Sequence, residues 1–378
     1  MDRTNNITVV AGGYLGDEGK GKITQFFLER TREAETNILC IRSSGGTNTG
    51  ATVYFQQTKI GVHMLPIGAF IPHVDCYIGN GVYVNFDVLI KELKERQRLA
   101  ISYGFVANLG RIFLSKYAHV VTPSCLERDA EKEQKQNLGS TKNGVSIAAS
   151  DKYSYRGVTV QEWLAKSPDI RDWLDEFYVQ VVEPYDLLSE LSKTHNIVLE
   201  GTQGIGLDVN HGFQYPYVSA GSFSTFGLLD GVGYALAPTE VCMVLKTYGS
   251  YFGPLRMGAA DFNDDDFRKY AREYGTTTHR PRNLCWLDGL KLKKAASHIR
   301  PSMIALNRLD TLNWFAENNK QWSIMLDDGH SMTFDDRAFV DGRLTNSGAL
   351  FVEVIEDYVG APVKLLGVGP KHSDIIQR

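Results

Sequence analysis

The sequence predicts an α/β protein with a mainly parallel, doubly wound central sheet flanked by helices. Apolar, β-branched runs that are typical of buried strands alternate with segments of helical spacing along most of the 378 residues. Polar or glycine-rich loops follow several of these runs, so they should gather at the carboxyl ends of the strands, where a ligand site is expected. No internal repeat or linker interrupts the pattern, and residues 1–378 are predicted to form a single domain.

The amino-terminal stretch, residues 7–22, gives the clearest indication. Ile7 to Val10 has the composition of a buried strand, and helical spacing begins at Ile23. Between them lies a loop with glycines at Gly12, Gly13, Gly16, Gly19 and Gly21. A strand, a glycine loop and a helix together place backbone N–H groups around phosphate oxygens. Lys20 and Lys22 add positive charge, so the stretch predicts a phosphate-binding loop.

The loop differs from the standard P-loop pattern. Gly13 and the Gly19-Lys20 pair are separated by five residues, whereas the P-loop pattern has four. Gly21 stands where Ser or Thr would hold Mg²⁺. Asp17 and Glu18 place carboxylates inside the loop, and these repel phosphate unless a cation or a proton transfer requires them. The alternative is a glycine-rich turn with a solvated acid pair.

Further elements follow from the same reasoning. Strands are expected at 37–41, 196–200, 241–247, 303–306 and 363–368, and helical segments at 82–93 and 184–193. The charged run 127–136 indicates a solvated helix face, and 139–150 indicates a loop that either contacts a ligand or forms a long turn. Asp264 to Asp266 could suggest a metal site, but a cap for a helix over 267–273 is favoured.

Composition excludes several classes of function. A net charge of −4 gives no reason to expect nucleic acid or a membrane surface as a partner. The five cysteines are far apart and lack a C-x-x-C spacing, which indicates neither a zinc site nor a disulfide framework and fits a cytoplasmic compartment. The amino terminus is polar, so no signal peptide is expected, and no apolar run reaches membrane-spanning length.

Near the carboxyl terminus, Asn307-Arg308-Leu309-Asp310 resembles the Asn-Lys-x-Asp loop with which GTPases read guanine. A carboxylate can accept both the guanine N1–H and the 2-amino group. Four residues alone are a weak signal, and on its own the motif favours a helix-capping Asp310.

Taken together, these motifs resemble the adenylosuccinate synthetase family, nearly from end to end. The most specific are Gly16–Lys22, Ile78–Val82, Glu200–Gly204, Tyr215–Ser219, Trp286–Asp288 and Gly367–Pro370. The resemblance implies a fold related to P-loop NTPases. It also implies a ligase that joins L-aspartate to C6 of a 6-oxopurine nucleoside monophosphate through a 6-phosphoryl intermediate, driven by ATP or GTP.

The resemblance assigns roles to individual positions. Asp17 would remove the N1 proton and hold Mg²⁺ together with the Gly50 carbonyl, and the catalytic set would be Asp17, Lys20 and Gln203. The triphosphate would be bound by Gly16, Asp17, Glu18, Gly19, Lys20, Gly21, Lys22, Gly50, Ala51, Thr52, Arg282, Arg308, Leu309, Asp310, Gly367, Val368 and Gly369. The monophosphate would be bound by Asp17, Asn48, Thr49, Thr141, Arg156, Gln203, Ser219, Phe252 and Arg280. The aspartate would be bound by Thr276, Thr277, Thr278, Arg280 and Arg282. Two arginines with hydroxyl groups suit a dicarboxylate.

In the family the arginine at the Arg156 position reaches across a dimer interface, which implies a homodimer.

Two departures from the family pattern point to a changed substrate. Ala51 stands where the family has a histidine that polarises the 6-oxygen, and Phe252 replaces a valine whose backbone faces the ribose 2′-hydroxyl. A related phage-encoded group acts on dGMP and makes N6-succino-2-amino-2′-deoxyadenylate, a precursor of 2-aminoadenine DNA. We favour this acceptor, which would place the protein in a host cytoplasm. IMP stays an alternative, because that group often replaces the loop aspartate with serine and Asp17 is retained here.

Two other classes of function stay open at this point. Ala51 motivates a nucleotide-binding regulator that has lost catalysis, unless His63 or His211 substitutes for the missing histidine. The glycine loop and residues 307–310 suggest a GTPase-like switch, although the extended loop and the missing Ser or Thr argue against it.

Overall fold

A computed structural model of the chain describes residues 5–33, 36–56, 58–136, 141–253, 255–275, 280–327 and 329–378. Its centre is a ten-stranded sheet that begins with the predicted strand at the amino terminus.

The strands are β1 (Ile7–Gly12), β2 (Ile38–Arg42), β3 (Ala51–Phe55), β4 (Thr58–Val62), β5 (Val74–Ile78), β6 (Tyr83–Val84), β7 (Ile112–Ser115), β8 (His119–Val120), β9 (Val179–Val182), β10 (Asn196–Gly204), β11 (Glu240–Lys246), β12 (Tyr248–Tyr251), β13 (Asp261–Phe262), β14 (Asn283–Asp288), β15 (Met303–Asn307), β16 (Trp322–Met325), β17 (Ser331–Phe334), β18 (Phe339–Val340), β19 (Arg343–Leu344), β20 (Val363–Gly367) and β21 (Ile375–Gln377).

The α-helices are α1 (Lys20–Glu33), α2 (Phe86–Tyr103), α3 (Pro123–Gln136), α4 (Val145–Tyr153), α5 (Val160–Leu164), α6 (Pro168–Glu176), α7 (Pro184–Thr194), α8 (Thr225–Asp230), α9 (Asp265–Ala271), α10 (Gly289–Ile299), α11 (Leu309–Glu317) and α12 (Asn346–Val359). None of the described helices is both long and apolar enough to cross a membrane.

The large sheet has the order β21-β20-β15-β11-β1-β10-β2-β5-β7-β9, and all its pairs are parallel except β20 with β21. β1 lies between β10 and β11, so the loop that follows it opens at the middle of the carboxyl edge. A smaller sheet of β12, β13, β14, β16 and β17 and the hairpin of β3 and β4 flank that edge. The α/β architecture with a mainly parallel central sheet confirms the predicted fold class.

Alternation along the central strands fills two cores, one on each face of the sheet. In β1, Val9 and Ala11 belong to one buried cluster and Val10 to the other. In β10, Leu199 and Val198 divide between the clusters in the same way. This explains why these strands have continuous apolar runs: a parallel sheet that is covered on both faces has no polar side.

Most of the predicted elements are present, with ends that differ by a few residues. The Asp264 side chain accepts hydrogen bonds from the Asp266 and Phe267 N–H groups, at 3.0 Å each, which confirms the predicted helix cap. Two predictions were wrong in part. Residues 145–150, predicted as loop, begin α4, because Val145, Ile147 and neighbouring alanines pack in a small core of their own. In the charged run 127–136, Asp129 is buried, and three other side chains turn toward a large cleft.

Candidate active site

A cleft of about 1620 Å³ opens along the carboxyl edge of the central sheet. Its floor is formed by the loops that follow β1, β2, β10 and β15, and its walls by the β3–β4 hairpin, β12, α3 and the loop after α9. The predicted site residues that line it are Gly16, Asp17, Glu18, Gly19, Lys20, Gly21, Lys22, Asn48, Thr49, Gly50, Ala51, Thr52, Thr141, Gln203, Ser219, Phe252, Arg282, Arg308, Asp310 and Gly369. The structure therefore brings together side chains from both ends of the chain.

The loop after β1 is closed by one of its own carboxylates. Glu18 is 1% exposed, and its Oε1 accepts hydrogen bonds from the Tyr14 N–H at 3.1 Å and the Gly16 N–H at 2.7 Å. Its Oε2 accepts one from Lys20 Nζ at 2.6 Å. Burial alone would raise the pKa of Glu18, but Lys20 and the Gly16 N–H hold that pKa below its usual range. The side chain predicted to contact a nucleotide therefore stabilises the loop itself.

Asp17 points the other way. Its backbone is left-handed (φ 56°), and 42% of its side chain is exposed in the cleft. Its Oδ2 lies 2.9 Å from Arg282 Nη2, while Arg282 Nη1 donates to Glu273 Oε2 at 2.8 Å. The Arg282 guanidinium also lies over the Phe252 ring, 5.5 Å from its centroid. A carboxylate from the phosphate loop and an arginine from the predicted aspartate loop thus meet directly.

The Asn307–Asp310 segment reaches back to the phosphate loop. Asn307 Nδ2 donates to the Glu18 carbonyl at 2.7 Å. Asp310 lies in the first turn of α11 and its buried Oδ1 has no hydrogen-bond partner in the described chain, while the helix has no side-chain cap. The capping explanation is therefore not supported. Burial raises the pKa of Asp310, which Arg308 partly opposes.

Lys22 lies beside the last predicted loop and donates from Nζ to the Gly369 carbonyl at 2.9 Å. Burial lowers the pKa of Lys22 to about 8, although Asp310 acts in the opposite direction. A Cβ at Gly367 would lie 2.0 Å from Asn307 Oδ1 and 2.4 Å from Lys22 Nζ, so a larger residue there would displace both side chains.

The β3–β4 hairpin places His63 close to Ala51, the position at which the family has a histidine. Ala51 pairs with Val62, and continuing that register sets His63 opposite Gly50. A Cβ on Gly50 would lie 3.4 Å from His63 Nε2, and His63 Nδ1 lies 3.5 Å from Glu92 Oε1. Of the two histidines considered as substitutes, His63 therefore adjoins the cleft wall.

The other histidine, His211, stacks on His298 with their centroids 4.0 Å apart, and His211 does not line the cleft. Burial and the neighbouring His211 lower the pKa of His298.

Several predicted positions lie outside the cleft. Leu309 is fully buried, and Gly367 and Val368 lie behind the lining. Arg280 is exposed, and Arg156, with 66% of its side chain exposed, lies 3.5 Å from Asp151. Leu309 contributes a core side chain instead of a cleft contact, because it starts α11 facing inward. Thr276, Thr277 and Thr278 fall outside the described residues.

Sequence reasoning missed two buried ion pairs in the cleft lining or beside it. Arg42 ends β2 and donates from Nη2 to Thr49 Oγ1 at 2.5 Å, and its Nη1 lies 3.3 Å from Glu200 Oε1. Burial raises the pKa of Glu200, which Arg42 opposes. The second pair is Lys246, at the end of β11, with Glu273. Arg42, Glu200 and Lys246 each follow an apolar run at the end of a predicted strand, and this pattern could have identified them. No such pattern marks Glu273.

A magnesium ion fits the residues present. No group of three metal-ligating side chains occurs in the described part of the chain. Mg²⁺ needs fewer protein ligands than that, because it keeps waters and takes phosphate oxygens from its substrate. The Asp17 carboxylate and the Gly50 carbonyl are hard oxygen donors that line the same cleft.

Comparison with known proteins gives a consistent result. The family model described as adenylosuccinate synthetase matches residues 9–180 and 165–319. The adenylosuccinate synthetase of Leuconostoc mesenteroides is 31% identical over 82% of this chain and 78% of its own length. The chain belongs to the adenylosuccinate synthetase family. The Chlorobium limicola family member is 28% identical over 99% of this chain and 98% of its own.

Two solved structures share the fold. The fully ligated adenylosuccinate synthetase of Plasmodium falciparum has a TM-score of 0.82 at 23% identity, covering 99% of this chain and 100% of that one. The succinoaminodeoxyadenylate synthetase of cyanophage S-2L, bound to dGMP and dATP, has a TM-score of 0.71 at 22% identity, covering 99% and 96%. This adenylosuccinate synthetase family member is therefore a ligase that condenses aspartate with a purine nucleotide.

The phosphate loop yields a stability prediction for Gly19→Ala. Gly19 has φ 87°, and a Cβ there would lie 2.9 Å from Asn307 Nδ2, so the bond from Asn307 to the Glu18 carbonyl must break. Gly104→Ala is the matched control, because Gly104 has φ 72° with open space around its Cβ. Both variants should lose about 1–2 kcal/mol from the left-handed backbone, and Gly19→Ala about 1–3 kcal/mol more from the lost buried bond. Denaturant unfolding measures the difference; equal losses would contradict the role of Asn307.

Proposed function

We propose that the protein joins L-aspartate to C6 of dGMP and forms N6-succino-2-amino-2′-deoxyadenylate, driven by ATP or GTP. The observation that carries the ligase chemistry is Asp17, a carboxylate exposed in the cleft on a loop whose amides suit phosphate. An anion beside a phosphate site is repulsive unless it holds a cation or accepts a proton. Both tasks belong to this reaction.

In this mechanism Asp17 accepts the N1 proton of the purine, so that O6 becomes the nucleophile toward the γ-phosphorus. The O6–P bond forms as the bond from phosphorus to the β-phosphate oxygen breaks. Lys20 and the amides of the loop would stabilise the charge that develops on the moving phosphoryl group, since these residues line the cleft. The amine of aspartate then attacks C6, phosphate departs with O6, and the amine loses its proton. Asp17 and Gly50 would hold Mg²⁺, which would neutralise charge on the triphosphate.

The remaining cleft residues supply binding contacts in this proposal. Asn48, Thr49 and Gln203 would hold the base, and Thr141 and Ser219 the 5′-phosphate, since all five line the same cleft. Arg282 would bind a carboxylate of the aspartate, with Arg280 and residues 276–278. Arg156 would reach the monophosphate of a second copy, because on its own chain it lies outside the cleft. We propose with this a cytoplasmic homodimer of single-domain chains.

The choice of dGMP depends on two cleft residues. Phe252 lines the cleft beneath the Arg282 guanidinium, and its ring leaves less room than a valine for a 2′-hydroxyl. The small side chain of Ala51 lies beside the glycine loop. A Cβ built on Gly21 would be 3.5 Å from the Cβ of Ala51. The cyanophage enzyme, which shares the fold, was solved bound to dGMP and dATP. IMP is the second candidate, favoured by the retained Asp17 and by the fold shared with the Plasmodium enzyme.

The acceptor is tested with dGMP, GMP and IMP, each offered alone with aspartate, Mg²⁺ and ATP or GTP, and with product identified by mass. We expect most product from dGMP, and we expect Phe252→Val to raise the use of GMP relative to dGMP about tenfold by admitting the 2′-hydroxyl. Product from IMP and none from dGMP would reject dGMP as the acceptor but would support the proposed ligase reaction. Nucleotide binding without product from any acceptor would favour the regulator, and triphosphate hydrolysis without aspartate would favour the GTPase-like switch.

Asp17→Asn should lower kcat by about 10²–10⁴-fold, because an amide cannot accept the N1 proton. Folding should be retained, since the side chain is 42% exposed. Asp265→Asn is the control, because Asp265 also pairs with an arginine but lies on the surface of α9 with 80% of its side chain exposed. Initial rates and circular dichroism check both variants. A rate for Asp17→Asn equal to that of the control would remove Asp17 from the mechanism.

Lys22 gives a pH prediction. With a pKa of about 8 in the free protein, Lys22 is charged below that pH and loses its proton above it. Triphosphate binding should therefore weaken as pH rises through 8, by at most about tenfold per unit. Lys22→Arg stays charged and should bind with little change between pH 7 and 9. Titration calorimetry with a non-hydrolysable triphosphate at fixed ionic strength measures this; parallel pH profiles for the two proteins would contradict it.

A further inference from the structure

In the cleft lining, one buried carboxylate is shared by side chains from several elements. Glu273, two residues after α9, is 1% exposed. Its Oε1 accepts hydrogen bonds from Lys246 Nζ at 2.9 Å and from the Tyr248 hydroxyl at 2.8 Å. Its Oε2 accepts one from Arg282 Nη1 at 2.8 Å, and Arg308 Nη2 lies 3.5 Å from Oε1.

The cations around this carboxylate differ in exposure: the side chains of Lys246 and Arg282 are 2% and 11% exposed, and that of Arg308 is 38% exposed. Lys246 is 2% exposed, and its Nζ also donates to Ser250 Oγ at 2.6 Å. Burial alone would raise the pKa of Glu273, but Lys246, Arg282 and Arg308 hold that pKa far below its usual range. Glu273 is therefore ionised. It accepts hydrogen bonds from Lys246 and Arg282, whereas Arg308 Nη2 lies close to it and donates to the Ala271 carbonyl at 2.6 Å.

Each partner of Glu273 leads to a different part of the cleft. Arg282 precedes β14 and also contacts Asp17. Arg308 stands at the start of α11, two residues before Asp310. Ser250, reached through Lys246, lies in β12 two residues before Phe252.

Under the function proposed above, these three parts hold aspartate, the base of the triphosphate and the sugar of the monophosphate. A substrate that draws one cation toward itself changes what the carboxylate can offer the other two.

We propose that Glu273 is a positioning residue that couples aspartate binding to triphosphate binding through Arg282 and Arg308. This inference rests on the proposed assignment of those two arginines. Glu273 orients the guanidinium of Arg282 by holding Nη1, so that Nη2 faces the cleft beside Asp17. When the triphosphate base binds near Arg308, the interaction between Glu273 and Arg282 changes. By reciprocity, aspartate bound at Arg282 changes the affinity for the triphosphate.

The test measures the affinity for a non-hydrolysable ATP or GTP analogue, with and without saturating aspartate, in the presence of the monophosphate. In the wild type, aspartate should strengthen analogue binding by about fivefold or more. Glu273→Gln keeps the size of the side chain and loses its charge, and it should reduce this factor to less than about twofold and raise the KM for aspartate about tenfold. Its kcat at saturation should change less, because Glu273 acts on the substrates through the two arginines that it positions.

Asp75→Asn is the matched control. Asp75 is a carboxylate with 13% of its side chain exposed that also accepts from an arginine, Arg111 Nε at 3.0 Å, but it lies in β5 away from the cleft lining. The coupling factor should be unchanged in this variant. Glu273→Asp is the second test variant: it keeps the charge beside Lys246, which protects folding, and shortens the reach to Arg282, so it should also lose coupling.

The outcomes separate the two proposals. Full coupling in a folded Glu273→Gln or Glu273→Asp protein would overturn the positioning role, and so would a wild type without coupling. Loss of folding in both variants would show that the carboxylate serves stability only, which also overturns it. The proposed ligase function fails independently, if the wild type forms no succinylated product from any acceptor while binding is still coupled.

Discussion

The cleft depends on a buried contact between a carboxylate and the backbone of the loop after β1. Glu18, held by two N–H groups and by Lys20, closes the turn that a bound phosphate closes in other glycine loops. Because Glu18 turns inward, its neighbour Asp17 is carried outward on a left-handed backbone. Two adjacent acids thus acquire opposite surroundings: the buried one shapes the loop, and the exposed one faces the cleft and pairs with Arg282.

The polar side chains of the site are organised as a chain of alternating charges. Asp17 pairs with Arg282, Arg282 with Glu273, and Glu273 with Lys246. Burying any one of these groups alone would be costly, whereas the series leaves each of them with a partner. An anionic substrate that entered the cleft would replace the Asp17 carboxylate as a partner of Arg282, whose guanidinium is already held in position by Glu273. The site can therefore be strongly charged and remain folded before its substrates arrive.

The hairpin of β3 and β4 brings a histidine that directly follows the second strand next to Gly50, the residue before Ala51. Ala51 offers no hydrogen bond, but the strand opposite continues to His63, whose ring lies against Gly50 and whose Nδ1 faces Glu92. Glu92 is itself fixed by the N–H groups of His63, Met64 and Leu65. A Cβ at position 50 would meet the ring at van der Waals distance, 3.4 Å from Nε2.

The sequence by itself determined the fold class, the glycine loop after β1 and six of the ten strands described in the central sheet, because these depend on local composition and on the period of apolar residues. It also determined the helix cap at Asp264, a contact between near neighbours. Only the tertiary structure decided that Glu18 turns inward while Asp17 turns outward, since both are acids in the same loop and only burial distinguishes them. It alone joined Glu273 to Arg282 and Arg308, and His63 to Gly50, because no local pattern records which distant loops meet at the edge of a parallel sheet.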